Sequence, residues 1–234
     1  MATVHDPAHA YRELPLTKIV NGASLQPKSG KSPEQIVLLL HGYGSNGHDL
    51  ISFAPMWQDT LPDALFLAPH APQKCGLMGA GYQWFALTGF DPIAVAKGTA
   101  SAAPAIDAFL DRKLAQYDLT EKNLSIVGFS QGTMMALQVG LRRARTVSSI
   151  VGYSGMLTGT TDLHGVGLTK PPVLLVHGSA DPLVPIQALH SSQSALERLG
   201  FTVESHIASG IGHTIDPVGL RLGKEFVARS FGTV

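Results

Sequence analysis

Short aliphatic runs alternate with segments of helical periodicity along most of this chain. Residues 36–40 are apolar at every position, which is typical of a strand buried on both faces of a parallel sheet. Further strands are predicted at 65–68, 124–127, 149–153, 173–176 and 201–207, and helices at 48–57, 99–117, 134–141, 186–199 and 218–231. This alternation predicts an α/β fold with a doubly wound, mostly parallel sheet flanked by helices.

Two segments lack these patterns. Residues 1–35 contain four prolines and a polar stretch, and only 17–20 is predicted there, as a short edge strand. Residues 73–98 are rich in glycine and aromatic residues and are predicted as a loop. Since no repeat or linker interrupts the remainder, we expect one domain over 1–234, with 1–35 as an irregular extension.

The composition argues against several kinds of partner and cellular location. The 234 residues include 17 Lys and Arg and 17 Asp and Glu with no basic run, so neither nucleic acid nor an anionic membrane surface is an expected partner. The single cysteine, Cys75, excludes an internal disulfide framework and fits a reducing compartment. The first residues do not resemble a signal peptide, and no apolar run is long enough to span a bilayer. We therefore expect a cytoplasmic protein without integral membrane association.

The sequence Gly-Phe-Ser-Gln-Gly at 128–132 joins a predicted strand directly to a predicted helix. In that context Gly-x-Ser-x-Gly is typical of the nucleophile elbow of α/β-hydrolases, with Ser130 at its apex. A turn this tight leaves no room for a Cβ two residues before or after the serine. The N–H of Gln131, at the helix N-terminus, is placed to stabilise an oxyanion.

An acid should follow the nucleophile in the chain, in the loop after a later strand. Asp181 meets this condition, because it lies in the loop after the strand at 173–176. Asp162 lies in a connection with no strand directly before it, and Asp216 follows the favoured histidine. Asp181 is therefore the predicted acid.

The predicted base is His213, in a glycine-rich loop just after the strand at 201–207. His206 lies within that strand, His190 lies on a helix, and His164 precedes the acid. Nε2 of His213 would take the proton of the serine hydroxyl while Nδ1–H donates to the acid.

The loop after the first buried strand, His-Gly-Tyr-Gly-Ser-Asn-Gly at 41–47, should supply the second oxyanion donor. The backbone N–H of Tyr43 is the candidate. Its glycines also match the dinucleotide-binding fingerprint, but Asp63 precedes the next strand instead of ending it, and no Lys-Ser/Thr pair for a phosphate loop follows. The ten histidines are scattered and contain no His-Glu-x-x-His, so neither a metal nor a cofactor is expected.

Several motifs occur together and in order: LLLHGYGSNGHD, LAPHAP, a Trp-Phe pair at 84–85, GFSQG, HGSADPLVP and GIGHTI. From about residue 36 to the end, the chain resembles the bacterial carboxylesterase/phospholipase family of α/β-hydrolases, which includes the acyl-protein thioesterases. The resemblance implies a triad and an oxyanion hole without a cofactor, and substrates that are short- to medium-chain esters, lysophospholipids or S-acylated proteins. The implied residues are Ser130, Asp181 and His213 for the triad and the N–H groups of Tyr43 and Gln131 for the hole.

Two departures concern the substrate. The family usually carries Leu where Tyr43 stands and Asp where Ala86 stands. Trp84 and Phe85 are equally compatible with a place in the core and with lining an acyl cleft. We expect a serine hydrolase that cleaves carboxylic esters of short to medium acyl chains through an acyl-enzyme. An acyl-protein thioesterase or lysophospholipase is the first alternative and a non-catalytic ligand receptor the second, and a homodimer rests on the resemblance alone.

Overall fold

The computed structural model describes residues 19, 22–75, 81–87, 89, 91–159, 163 and 167–233. In these ranges seven strands form the main sheet, in the order β1-β3-β2-β6-β7-β8-β9, and two more form a small hairpin. The strands of the main sheet are β1 Gly22–Leu25, β2 Gln35–Leu40, β3 Ala64–Pro69, β6 Leu124–Phe129, β7 Ser149–Tyr153, β8 Val173–Gly178 and β9 Val203–Ala208, and those of the hairpin are β4 Gln73–Lys74 and β5 Tyr82–Gln83. All pairs in the main sheet are parallel except β1 with β3, so the predicted architecture is confirmed.

Helices cover both faces of the sheet, which explains why its central strands are apolar throughout. The helices are α1 Gly47–Ile51, α2 Pro55–Gln58, α3 Pro92–Gln116, α4 Gln131–Gly140, α5 Gln187–Arg198 and α6 Pro217–Phe231. Leu38 of β2 faces a core built with α3, α4 and α5, whereas Leu39 faces a second core built with α1, α2 and α6. Among the helices of the described ranges, none is both long and apolar enough to cross a bilayer.

Two helix predictions were wrong in their bounds. The predicted helix at 48–57 is two short helices, and Pro55, which has no N–H to donate, begins the second. Helix α3 begins at Pro92, within the segment predicted as a loop, where the side chain of Asp91 accepts a hydrogen bond from the N–H of Ala94. Pro104 lies inside α3 and does not end it.

The N-terminal edge of the sheet also differs from expectation. The strand predicted at 17–20 lies, apart from Ile19, outside the described residues, and Ile19 is in no strand. The edge strand is β1, Gly22–Leu25, within the segment predicted as irregular. It runs antiparallel to β3 and pairs Gly22 with Pro69.

The topology brings the candidate residues to one edge of the sheet. The strands β2, β6, β8 and β9 run parallel, so their carboxyl ends lie at the same edge of the sheet. Ligands bind at this edge in open α/β sheets. Tyr43 follows β2, Ser130 follows β6, Asp181 follows β8 and His213 follows β9. Residues up to 170 positions apart in sequence therefore share one end of the fold.

Candidate active site

Ser130 occupies a strained backbone conformation at the turn between β6 and α4. Its φ of 55° and ψ of −117° lie outside the regions that serine ordinarily adopts, at a cost of ~1–3 kcal/mol. The flanking glycines make the turn sterically feasible. A Cβ on Gly128 would overlap the carbonyl oxygen of Gly132, and a Cβ on Gly132 would overlap the carbonyl oxygen of Leu40.

Hydrogen bonds hold this turn in place. The N–H of Ser130 donates to the carbonyl of Tyr153 at 2.8 Å, which ties the turn to β7. The buried hydroxyl of Thr133 lies 2.9 Å from the carbonyl oxygen of Gly128 and 2.8 Å from that of Tyr153. The elbow is therefore anchored on both sides, which fixes the direction of the serine side chain.

Asp181 and His213 form a direct contact, with Nδ1 of the imidazole 2.7 Å from Oδ2 of the carboxylate. The N–H groups of Leu183 and Val184 each donate to Oδ1 of Asp181 at 2.9 Å. Burial alone would raise the pKa of the Asp181 carboxyl, but the hydrogen bonds from Val184, His213 and Leu183 outweigh it and hold that pKa below its ordinary value. Since an ionised carboxylate only accepts, Nδ1 of His213 carries the proton and Nε2 is free to act as a base.

The histidine and the serine line one cavity of about 340 Å³, together with Tyr43 and Gln131. The ring of Phe129, next to the serine, packs against the imidazole of His213 with centroids 5.0 Å apart. The structure thus brings four predicted residues to one cavity. The fifth, Asp181, is bound to Nδ1 of His213.

The rejected alternatives lie elsewhere. Asp216 caps α6, accepting hydrogen bonds from the N–H groups of Val218 and Gly219. His206 lies in β9 and His190 is exposed on α5. Asp162 and His164 fall outside the described residues. Over the described ranges, no group of three or more His, Cys, Asp and Glu side chains is placed to hold a metal ion.

The two candidate oxyanion donors are backbone N–H groups at the edge of the cavity. In the part of the chain that the structure describes, no residue accepts a hydrogen bond from the N–H of Tyr43 or of Gln131. The loop carrying Tyr43 lies close to Ser130, since a Cβ on Gly42 would be 3.3 Å from the Cβ of that serine. Both donors are therefore available to a bound oxyanion.

One buried and one half-buried histidine, which sequence analysis did not single out, link the loop after β2 to the loop after β3. His41 accepts a hydrogen bond at Nε2 from the N–H of Ala71 (3.0 Å) and donates from Nδ1 to the carbonyl of Gly42 (2.8 Å). In return, His70 accepts at Nδ1 from the N–H of Gly47 (3.1 Å). We name His41 and His70 the histidine clasp, because each ring binds the backbone of the other loop.

Both rings of the clasp accept a hydrogen bond, which requires an unprotonated nitrogen. Burial lowers the pKa of His41 to about 4, and burial together with the neighbouring His48 lowers the pKa of His70. Tyr82 stacks on His70 with centroids 4.7 Å apart, and its backbone pairs with the loop at Gly44 and Ser45. A histidine directly after a buried strand was the available signal for this arrangement.

Trp84 and Phe85 are buried, with 1% and 3% of their surface exposed, and neither lines the cavity around Ser130. Of the two places that sequence analysis left open for this pair, the geometry favours the core. The amide of Gln131 instead accepts from the N–H of Trp84 (2.9 Å) and donates to the carbonyl of Phe85 (2.8 Å). The indole N–H of Trp84 donates to the carbonyl of His41 (2.9 Å), so the pair connects the elbow to the loop carrying Tyr43.

A second, larger cavity adjoins the first. It measures about 540 Å³ and shares Leu183 and Val184 with the cavity around Ser130. Apart from Thr158, its lining side chains are apolar or absent: Pro92, Val95, Met156, Leu157, Gly159, Pro182, Leu183, Val184, Pro185 and Ala188. The volume lies within the range of small-molecule pockets.

Comparison with known proteins finds a matching family model and relatives in both sequence and structure. A model of the phospholipase/carboxylesterase family matches residues 22–231. The crystal structure of esterase PE8 is similar with a TM-score of 0.85 and 40% sequence identity, over 89% of this chain and 97% of that chain. Acyl-protein thioesterase 1 of Gibberella zeae is 27% identical over 199 residues, covering 77% of this chain and 84% of the relative. Esterase YpfH of Escherichia coli is 25% identical over 186 residues, covering 80% of this chain and 78% of the relative.

Proposed function

Since the chain belongs to the phospholipase/carboxylesterase family of hydrolases, we propose that it is a serine hydrolase that cleaves carboxylic esters of short to medium acyl chains through an acyl-enzyme. The observation that carries this proposal is the ionic hydrogen bond between Asp181 and His213 beside the strained elbow of Ser130. These three residues are the proposed triad.

In the first half of the reaction, the hydroxyl of Ser130 attacks the ester carbonyl carbon while Nε2 of His213 takes its proton. Asp181 stabilises the imidazolium that forms. The negative charge on the carbonyl oxygen is stabilised by the N–H groups of Tyr43 and Gln131, each of which contributes about 3 kcal/mol in comparable sites. The tetrahedral intermediate then collapses, and His213 returns the proton to the leaving oxygen.

In the second half, water attacks the acyl group on Ser130, and His213 again acts as the base. The same two N–H groups stabilise the second oxyanion. Collapse of this intermediate gives the carboxylic acid and restores the serine hydroxyl. Every proton that the imidazole takes is returned within the cycle, so the reaction needs no cofactor.

The test is covalent labelling with a fluorophosphonate. We expect wild type to be labelled, and Ser130→Ala to lose the label together with activity on p-nitrophenyl butyrate, by on the order of 10⁴ or more. Ser191→Ala is the control, because Ser191 is exposed on α5 and lines none of the cavities of the site; it should keep both. A wild-type protein that is neither labelled nor active would favour the non-catalytic receptor, and activity that survives Ser130→Ala would refute the assignment.

The second, larger cavity, which we call the apolar cavity, is suited to hold the acyl chain. It shares Leu183 and Val184 with the cavity that Ser130 lines. Rates on p-nitrophenyl esters of two to sixteen carbons should be highest for short to medium chains. Ala188→Trp should shift the optimum to shorter chains by filling this cavity, whereas Ser191→Trp, on the exposed face of the same helix, should not. An optimum at sixteen carbons would favour the acyl-protein thioesterase or lysophospholipase alternative.

A further inference from the structure

A third cavity, of about 260 Å³, has no lining residue in common with the apolar cavity. It shares Gly42, Ser45 and Phe129 with the cavity around Ser130. Its remaining walls come from α1, the segment just after α1 and the two residues that follow His213: Asp49, Leu50, Ser52, Phe53, Thr214 and Ile215. We call it the Asp49 cavity.

The proposed reaction requires the leaving group to lie on the His213 side of Ser130. The leaving oxygen must lie within reach of Nε2 of His213, because that nitrogen protonates it. Thr214 directly follows this histidine, and the Phe129 ring that packs on its imidazole lines the Asp49 cavity. An alcohol that leaves past His213 therefore has this cavity as the adjacent space.

The two side cavities differ in polarity, which separates the acyl half of the substrate from the alcohol half. The apolar cavity has one polar side chain, that of Thr158. The Asp49 cavity has three hydroxyl groups, from Ser45, Ser52 and Thr214, and one carboxylate. A hydrocarbon chain gains from the first environment, and a polar or charged alcohol loses less hydration in the second.

Asp49 is held in place in this cavity. Its Oδ2 accepts hydrogen bonds from the Ser45 hydroxyl at 2.9 Å and from the Asn46 amide at 2.7 Å. No lysine or arginine belongs to the lining residues, and among the described residues none forms an ion pair with Asp49. The nearby ring of His70 accepts a hydrogen bond from Gly47, so it does not offset the charge while it is neutral. The cavity therefore carries a net negative charge.

The rings of Phe53 and Phe129 line the same space as this carboxylate. Aromatic faces next to an anion are the surroundings that attract an ammonium group, since the ring quadrupole and the carboxylate act in the same direction. We propose that the Asp49 cavity is the leaving-group site and that it selects esters of alcohols carrying an ammonium group. This inference rests on the proposed function, because it presupposes that an alcohol leaves past His213.

The test compares two esters that share an acyl chain and a shape but differ in charge. Butyrylcholine carries a quaternary ammonium, and 3,3-dimethylbutyl butyrate replaces its nitrogen with carbon. Wild type should hydrolyse butyrylcholine with a kcat/KM about fivefold higher, on the scale of one partly exposed charge pair. Added salt should reduce this preference, because both charges are accessible to solvent.

Asp49→Asn should bring the ratio of the two kcat/KM values close to one by lowering the value for butyrylcholine. Ser52→Lys places a positive charge in the same cavity at an exposed position and should invert the preference. Asp118→Asn removes a carboxylate from the turn after α3, away from all residues of the site, and should change nothing.

Each result has a separate meaning. Equal kcat/KM values for the two esters in wild type, or a ratio that Asp49→Asn leaves unchanged, would overturn the leaving-group assignment while the esterase proposal stands. A variant that slows both esters equally would show that Asp49 acts only on structure and would also overturn it. Absence of hydrolysis of both esters and of p-nitrophenyl butyrate, with no label on Ser130, would overturn the proposed function itself and the inference with it.

Discussion

Acid should destabilise this fold through His41. Its ring is fully buried, accepts a hydrogen bond from the N–H of Ala71 and donates one to the carbonyl of Gly42. Protonation of Nε2 would place an N–H against another N–H and bury a charge. The pKa of His41 accordingly lies at about 4 in the folded protein, against 6.5 for an unperturbed histidine.

The size and the sign of the effect follow from this difference. Between pH 6.5 and pH 4 the unfolded chain binds a proton at His41 and the folded protein does not, so the free energy of unfolding falls as the pH falls. The span of 6.5 − 4 = 2.5 pH units corresponds to about 3.5 kcal/mol, at roughly 1.4 kcal/mol per unit. About 3 kcal/mol of this is lost by pH 4, where the folded ring is half protonated. Above pH 6.5 the residue is neutral in both states and adds no pH dependence.

The assay is urea unfolding from pH 7.5 to pH 4, with His41→Asn as the reference. Asparagine can accept and donate in a similar way but does not titrate in this range. The lowered pKa of His70 also weakens the fold as the pH falls, and the lowered pKa of Asp181 does so at still lower pH. Both are present in the two proteins, so their contributions cancel in the difference.

We expect the stability advantage of wild type over His41→Asn to shrink by about 3 kcal/mol between pH 7 and pH 4. Two parallel curves, with a constant difference across this range, would refute the argument. They would mean that the ring stays hydrogen-bonded when protonated or that the loop after β2 opens before His41 titrates.

Three further predictions concern the site. Asp181→Asn should lower kcat by about 10⁴, because the amide no longer holds the productive tautomer, and should keep the fluorophosphonate-reactive serine, measured by slower labelling. Gln131→Ala should reduce the free energy of unfolding by about 2 kcal/mol, measured in urea, since it leaves a buried N–H and a buried carbonyl of residues 84–85 without partners. Gly132→Ala should prevent folding or destabilise it by more than ~3 kcal/mol, whereas Gly167→Ala, with no atom within 4 Å of an added Cβ, should fall within about 0.5 kcal/mol of wild type, both followed by thermal unfolding.

The elbow was predictable from sequence because its determinants are local. The strand, the glycines, the serine and the helix lie within about twenty consecutive residues, and the clash that requires glycine at 128 and 132 involves this same short segment and the end of β2. The order of Asp181 and His213 after Ser130 then limited the candidates to loops that follow strands. The observed distance of 2.7 Å between Nδ1 of His213 and Oδ2 of Asp181 agrees with that reasoning.

The start of α3 was missed for a physical reason. The sequence of its first turns shows little apolar periodicity. The apolar side chain of Ile93 is 66% exposed, and Gly98, which has no side chain, is the residue that sits against the ring of Phe85. The signal was the Asp-Pro pair at 91–92, an N-cap followed by a proline at the first helical position. Hydrophobic periodicity reports the face that packs, and the buried residues of the first two turns, Val95 and Thr99, include only one large apolar side chain.

The placement of Trp84 and Phe85 could not be read from sequence at all. Their burial depends on hydrogen bonds to Gln131 and His41, which lie more than forty positions away in each direction. A Trp-Phe pair in a glycine-rich loop suits a cleft and a core equally well. Only the partners in space decide between them.

The two loops that carry Tyr43 and Asp181 begin in the same way, with a buried histidine followed by glycine at the end of a strand. His41 and His177 each bond a carbonyl of the loop that follows, at 2.8 Å in both cases. The rings nevertheless have different chemical demands. His41 must also accept from Ala71, which a protonated Nε2 cannot do, whereas the bond of His177 to Val184 requires only a donor. Acid should therefore release the loop that carries Tyr43 before it disturbs the loop that carries Asp181.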